Sequence, residues 1–186
     1  MMDIVLEQTF ENLSDFTKAE YENCTFKACD FLQADFSLAK LINCTFIACD
    51  LSLVQMQNCM IQDTAFIDCK MLGIQFNECH PFNLSFSFEN CNLQHAIFNE
   101  LTIKKTYFDH CQLKEVDFSH AQLSGSRFLN CDLAKAVFVQ THLEKVSFKD
   151  SYHLVLNPNQ NHLKKTVFSQ EQLAGLLKQH DILIVQ

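Results

Sequence analysis

Residues 24–46 read CTFKACDFLQADFSLAKLINCTF, and every fifth position is large and apolar: Phe26, Phe31, Phe36, Leu41, Phe46. Two places before each stands a small residue, in turn Cys24, Cys29, Ala34, Ala39 and Cys44. The same beat runs back to Tyr21 and Phe16 and forward through Leu51, Met56, Ile61, Phe66 and Met71 to Phe76. A second run, in a new frame, extends from Phe88 to Phe148 with Phe98, Phe108, Phe118, Phe128 and Phe138 alternating with Leu or Ile. The inward set therefore steps by two and then by three. A strand needs steps of two and a helix steps of three and four, so neither buries this pattern. A chain folded around a square does. Four five-residue sides close one coil, and coils stack at the parallel-strand spacing of roughly 4.8 Å.

Positions 20 apart should then lie above one another, with Phe88, Phe108, Phe128 and Phe148 on one wall and Phe98, Phe118 and Phe138 opposite. Fourteen of the 18 phenylalanines occupy central positions, so the aromatic content is structural.

Ala34-Asp35-Phe36-Ser37, Cys49-Asp50-Leu51-Ser52, Cys91-Asn92-Leu93-Gln94 and Cys131-Asp132-Leu133 share one form: small, then Asp or Asn, then Leu or Phe, then polar. Residues 14–150 resemble the pentapeptide-repeat family on these motifs. The resemblance implies an all-β fold, a right-handed quadrilateral β-helix, to which the sequence adds a short carboxy-terminal α-helix as cap. Residues 1–13 read as an amino-terminal cap and 14–150 as the β-helix. Residues 151–186 read as a linker, helix and apolar tail. Ser169 followed by Gln172 is a capping box opening a helix of about ten residues. A register break falls near 79–87: Phe76 and Phe88 are 12 apart rather than ten. Pro81 stands where a large residue is due, so Phe82 is expected to turn inward and the column to kink or bulge.

All ten cysteines take the small inward position, and several align 20 apart, as Cys91, Cys111 and Cys131 do. They read as small buried hydrophobes in a reducing compartment. His80, His95, His110 and His120 sit at outward positions and cannot converge with these sulfurs, so no metal and no cofactor is expected. Asp117, Ser119 and His120 look triad-like, but a filled column gives them a convex face. Catalysis needs a concave, water-limited site, so no enzyme is expected. There is no run of 18 apolar residues and no basic leader at Met1-Met2-Asp3, which predicts a cytoplasmic protein without membrane contact.

Charge is uneven. Residues 1–80 carry 12 acids and four lysines, whereas residues 81–150 carry eight acids and seven bases, within a total of −8. This balance disfavours direct nucleic-acid binding. Asp15, Asp30, Asp35, Asp50, Asp63, Asp68 and Glu78 form the candidate partner-binding set.

The mid-column break, acidic surface and helical end are similar to those of the Qnr-type and microcin-immunity-type subgroup. Several members carry extended loops, whereas this column has no insertion longer than two residues. The resemblance implies a rod-shaped homodimer joined through the carboxy-terminal helix, with Leu173, Leu176, Leu177, Ile182, Leu183 and Ile184 as candidate interface. It implies DNA mimicry toward type II topoisomerase, chiefly DNA gyrase, with protection from quinolones or peptide toxins. The alternative is a non-catalytic interaction scaffold for another protein.

Overall fold

A computed structural model describes residues 2–180 and 182. The chain winds as a four-walled solenoid whose coils stack in parallel. One wall carries a four-stranded parallel sheet of β1 (Ile4–Leu6), β3 (Glu20–Glu22), β5 (Lys40–Ile42) and β7 (Met60–Gln62). The next carries seven strands: β2 (Thr9–Glu11), β4 (Thr25–Lys27), β6 (Thr45–Ile47), β8 (Thr64–Ile67), β9 (Phe86–Glu89), β10 (Tyr107–Asp109) and β11 (Arg127–Leu129). The third and fourth walls are held by single parallel bridges, such as Asp30 to Asp50 and Asp117 to Val137.

Registers follow the 20-residue coil, with Phe26 opposite Phe46 and Phe108 opposite Phe128. Nine phenylalanines stack along the second wall: Phe10, Phe26, Phe46, Phe66, Phe88, Phe108, Phe128, Phe148 and Phe168. Their ring centroids are 4.7–5.6 Å apart. Phe76, Phe98, Phe118 and Phe138 form a second ladder on the fourth wall. The two ladders meet edge to face across the column, as Phe98 and Phe108 do at 5.9 Å and 88°. Such pairs add about 0.5–1.5 kcal/mol beyond area burial.

Glycine turns few of the corners, Gly73 (φ 63°) and Gly125 (φ 78°) among them. Asn23 (φ 55°), Lys105 (φ 59°) and His120 (φ 60°) are left-handed, a conformation that costs an L-residue roughly 1–2 kcal/mol. Each returns its N–H to the next coil: Asn23 to the Ile42 carbonyl at 3.0 Å, Lys105 to Ser124 at 3.2 Å, His120 to Val139 at 2.8 Å. Inside, the cysteines fill the space beside the large residues. All ten are free and buried. The Cys44 thiol donates to the Tyr21 carbonyl of the preceding coil at 3.4 Å.

The register break resolves differently from the sequence expectation. Phe82 does not turn inward; it is 62% exposed, and Leu84 and Phe86 are buried instead. Phe86 pairs with Thr64 in the parallel register, so a large ring takes a position that elsewhere holds a small residue. It packs on Phe76 at 5.0 Å. The two extra residues are spent on an outward corner that includes Asn83 (φ 53°), and the phenylalanine ladder runs past it unbroken.

The column begins earlier than residue 14. Val5 pairs with Tyr21 and Phe10 with Phe26, so residues 4–11 already form two walls of the first coil. At the far end Gln170–Gln172 and Lys178–His180 are single 3-10 turns flanking α1 (Leu173–Leu177). Gln172 is buried and anchors this cap. Its Nε2 donates to the carbonyls of Phe148 (2.7 Å) and Ser151 (2.6 Å), and its Oε1 accepts from the Ser169 N–H (2.8 Å). A Cβ on Gly175 would lie 1.9 Å from the Leu154 carbonyl oxygen, so only glycine lets the helix sit this close to the coil below.

Candidate interaction faces and the end cap

The acidic residues divide by what their carboxylates already do. Those at the consensus position cap their own corners: Asp30 Oδ1 accepts the Leu32 N–H at 3.2 Å, Asp35 that of Ser37 at 2.9 Å, and Asp50 that of Ser52 at 3.0 Å. An Asp side chain bonding the backbone two residues on mimics a turn, which is why the repeat favours Asp or Asn there. Asp35 also pairs with Lys18, and Asp50 with Lys70 at 2.8 Å. Hydrogen bonds from Lys18 and Ser37 hold the Asp35 carboxyl down to about 2. Burial works to raise Asp50, but Lys70 and the Ser52 hydrogen bonds outweigh it and leave it below its ordinary value.

Asp63 accepts the Ser85 hydroxyl at 3.0 Å, and Glu78 accepts the Gln57 amide at 2.7 Å. Asp15 and Asp68 are exposed. Every lysine of residues 1–80 is paired: Lys18 with Asp35, Lys27 with Glu11, Lys40 with Glu20 and Lys70 with Asp50. Among the described residues, Asp3, Glu7, Asp15, Glu22, Asp30, Asp63, Asp68 and Glu78 have no such partner. The predicted residues do not form one pocket; they ring the amino-terminal half.

The stacking rule also places residues outside the candidate partner-binding set. Lys105 and Lys145 occupy one corner of the second half, beside Lys104, Lys164 and Lys165, and none of the five is ion-paired among the described residues. His142 lies directly below His162, their rings 4.2 Å apart and 15° from parallel. The signal is the 20-residue separation itself, the same spacing that aligns Cys111 with Cys131 and Phe108 with Phe128. Asp117 bonds the Ser119 N–H through its carboxylate, again as a corner cap.

At the end cap Leu176 packs partly buried on the last coil, whereas Leu173 (48%), Leu177 (39%) and Ile182 (54%) are exposed. Leu183 and Ile184 lie outside the described residues. An open groove of about 650 Å³ runs beside the contact of α1 with the coil beneath, lined by Tyr152, His153, Glu171 and Lys178 among others. Among the described residues no helix is long and apolar enough to cross a membrane.

The profile of the pentapeptide repeat region matches residues 19–87 and 85–154. The chain belongs to the pentapeptide-repeat family. No curated protein matches its sequence. Among solved structures this pentapeptide-repeat protein is similar to two trypsin-treated forms of QnrB1, described as a plasmid-mediated fluoroquinolone resistance protein. The first gives a TM-score of 0.74 at 20% identity and covers 100% of both chains. The second gives 0.74 at 21% identity, covering 98% of this chain and 90% of the other. At that identity the likeness establishes a shared fold.

Proposed function

We propose that this pentapeptide-repeat protein is a non-catalytic DNA mimic that binds a type II topoisomerase, DNA gyrase in the first instance, and protects it from quinolones or toxins. The observation that carries this reading is the set of acids without lysine partners on the amino-terminal half of a rod with regular coil spacing. A phosphate-binding saddle is basic, and carboxylates repeated along a rod of about the strand spacing can occupy it. The fold shared with QnrB1 supports the same reading. Dimerisation through Leu173, Leu176, Leu177 and Ile182 of the end cap would double the rod.

The lysine corner favours a second reading, a scaffold for another protein, because duplex DNA has no such corner. Supercoiling by purified gyrase, with and without a quinolone, titrated with the protein, separates the two. Protection that fades as salt rises is the outcome expected of a charge mimic. No change in either condition removes topoisomerase from consideration.

A further inference from the structure

We infer that His142, Glu144 and His162 form a divalent transition-metal site, suited to Zn²⁺, that clips the last two coils together. One nitrogen or oxygen donor from each of the three lies within 4.8 Å of the others. His142 Nδ1 and Glu144 Oε1 are 3.2 Å apart. Two donors each about 2.0–2.1 Å from one tetrahedral ion would stand about 3.3 Å apart, so this edge needs almost no adjustment. The parallel bridges from Gln122 to His142 and from His142 to His162 put the two imidazoles on the same wall. One His162 ring nitrogen lies within 4.8 Å of the other two donors, and rotation of that exposed side chain would bring it to the ion.

The surroundings suit a ligand set rather than a packed core. The two histidines line an open hollow of about 640 Å³ with His120, Gln122, Gln140 and Asn161, which leaves room for water at the remaining coordination position. Glu144 is oriented from outside the set: the Ser124 hydroxyl donates to its Oε2 at 2.8 Å, leaving Oε1 toward His142. Such outer partners are the usual support of metal ligands. Two imidazoles and one carboxylate are a ligand set Zn²⁺ accepts. The buried thiols of the same chain face the column interior and cannot join them.

The ligands come from two coils. Binding therefore ties the coil bearing His162, which leads into the cap helix, to the coil beneath, and it stabilises the folded state by mass action.

Calorimetric titration of the whole, chelator-treated protein with zinc sulfate tests this, alongside thermal melts with and without zinc. One equivalent bound, with a higher Tm, is expected for the native sequence. His162→Gln, whose exposed ring stacks on His142 alone, should leave the metal-free melt close to native and lose both effects. Ser124→Ala should weaken binding by about tenfold. Absence of zinc binding by the native chain, or binding and Tm shift that persist in His162→Gln, overturns the site.

Discussion

Phe66 and Phe88 are 22 residues apart in sequence, yet their rings stack at 5.3 Å and 12°, within a series whose neighbours are otherwise mostly 20 apart. The excess is held by an exposed corner and does not reach the core. Deleting Pro81 and Phe82 should therefore leave the fold intact, with stability changed by less than about 1 kcal/mol, since loop length costs little. Phe66→Ala, by contrast, opens a cavity in the ladder and should cost about 3–5 kcal/mol. Urea unfolding followed by circular dichroism compares the two. Equal losses would mean that the corner supports the column.

The cysteines give an independent measure of core integrity. Burial pushes the Cys44 thiol up to about 11 and Cys59 up to about 12, so both stay protonated at neutral pH. Thiolate is the reactive form. A thiol-specific chromogenic reagent should label none of the ten quickly in the native protein and all ten in denaturant. Rapid labelling of several without denaturant would show that the small inward positions open to solvent.

At the end cap, Gly175→Ala places a methyl where the Leu154 carbonyl oxygen stands, 1.9 Å away, and must lift the helix. Gln172→Leu leaves the Ser151 carbonyl without its donor, while Phe148 keeps the Ser151 N–H at 3.1 Å, a loss of about 1–3 kcal/mol for the buried group left unmet. Both variants should raise amide exchange in the last coil while leaving the middle of the ladder protected. Exchange that rises uniformly along the chain would show that the column unfolds as one unit rather than coil by coil.

How much of this was legible from residues alone depended on whether a position obeys the stacking rule. Phe108 over Phe128 and Cys111 beneath Cys131 follow from the 20-residue beat, because an inward side chain has one place to go. The capping box at Ser169 and Gln172 was readable too, although not that Gln172 also fastens the helix to Phe148 and Ser151. Phe82 misled because hydrophobicity at an insertion does not fix direction; the corner geometry around Asn83 pointed it outward and drew in Phe86. Asp15 to Asp35 counting gave acid positions but not lysine pairing, which depends on where Lys18 and Lys70 reach.

Oligomeric state tests the end cap separately. Leu173, Leu177 and Ile182 are exposed together on a coil end that buries only part of Leu176. Light scattering behind size exclusion should report twice the chain mass of 21.5 kDa, and Leu173→Asp with Leu177→Asp should halve it without lowering helix content. A native monomer at high concentration would remove the dimer.

The acidic faces separate into scaffold and bait by a pH and substitution experiment. Asp35 has a folded value of about 2, below the ordinary 3.8, so its contribution is present above about pH 4 and is lost as pH falls toward 2. The pair with Lys18 is exposed, and solvent screening keeps its worth under about 1 kcal/mol. Asp35→Asn should therefore flatten a small part of the acid limb of the stability curve, its amide oxygen still able to accept from Ser37. Asp15, Asp63 and Asp68 have no lysine partner among the described residues, so converting all three to Asn should leave the melt near native. The same triple variant should require severalfold more protein to alter gyrase supercoiling, with the gap narrowing at high salt. If it acts on gyrase as the native chain does, carboxylates on these corners are not what the partner reads.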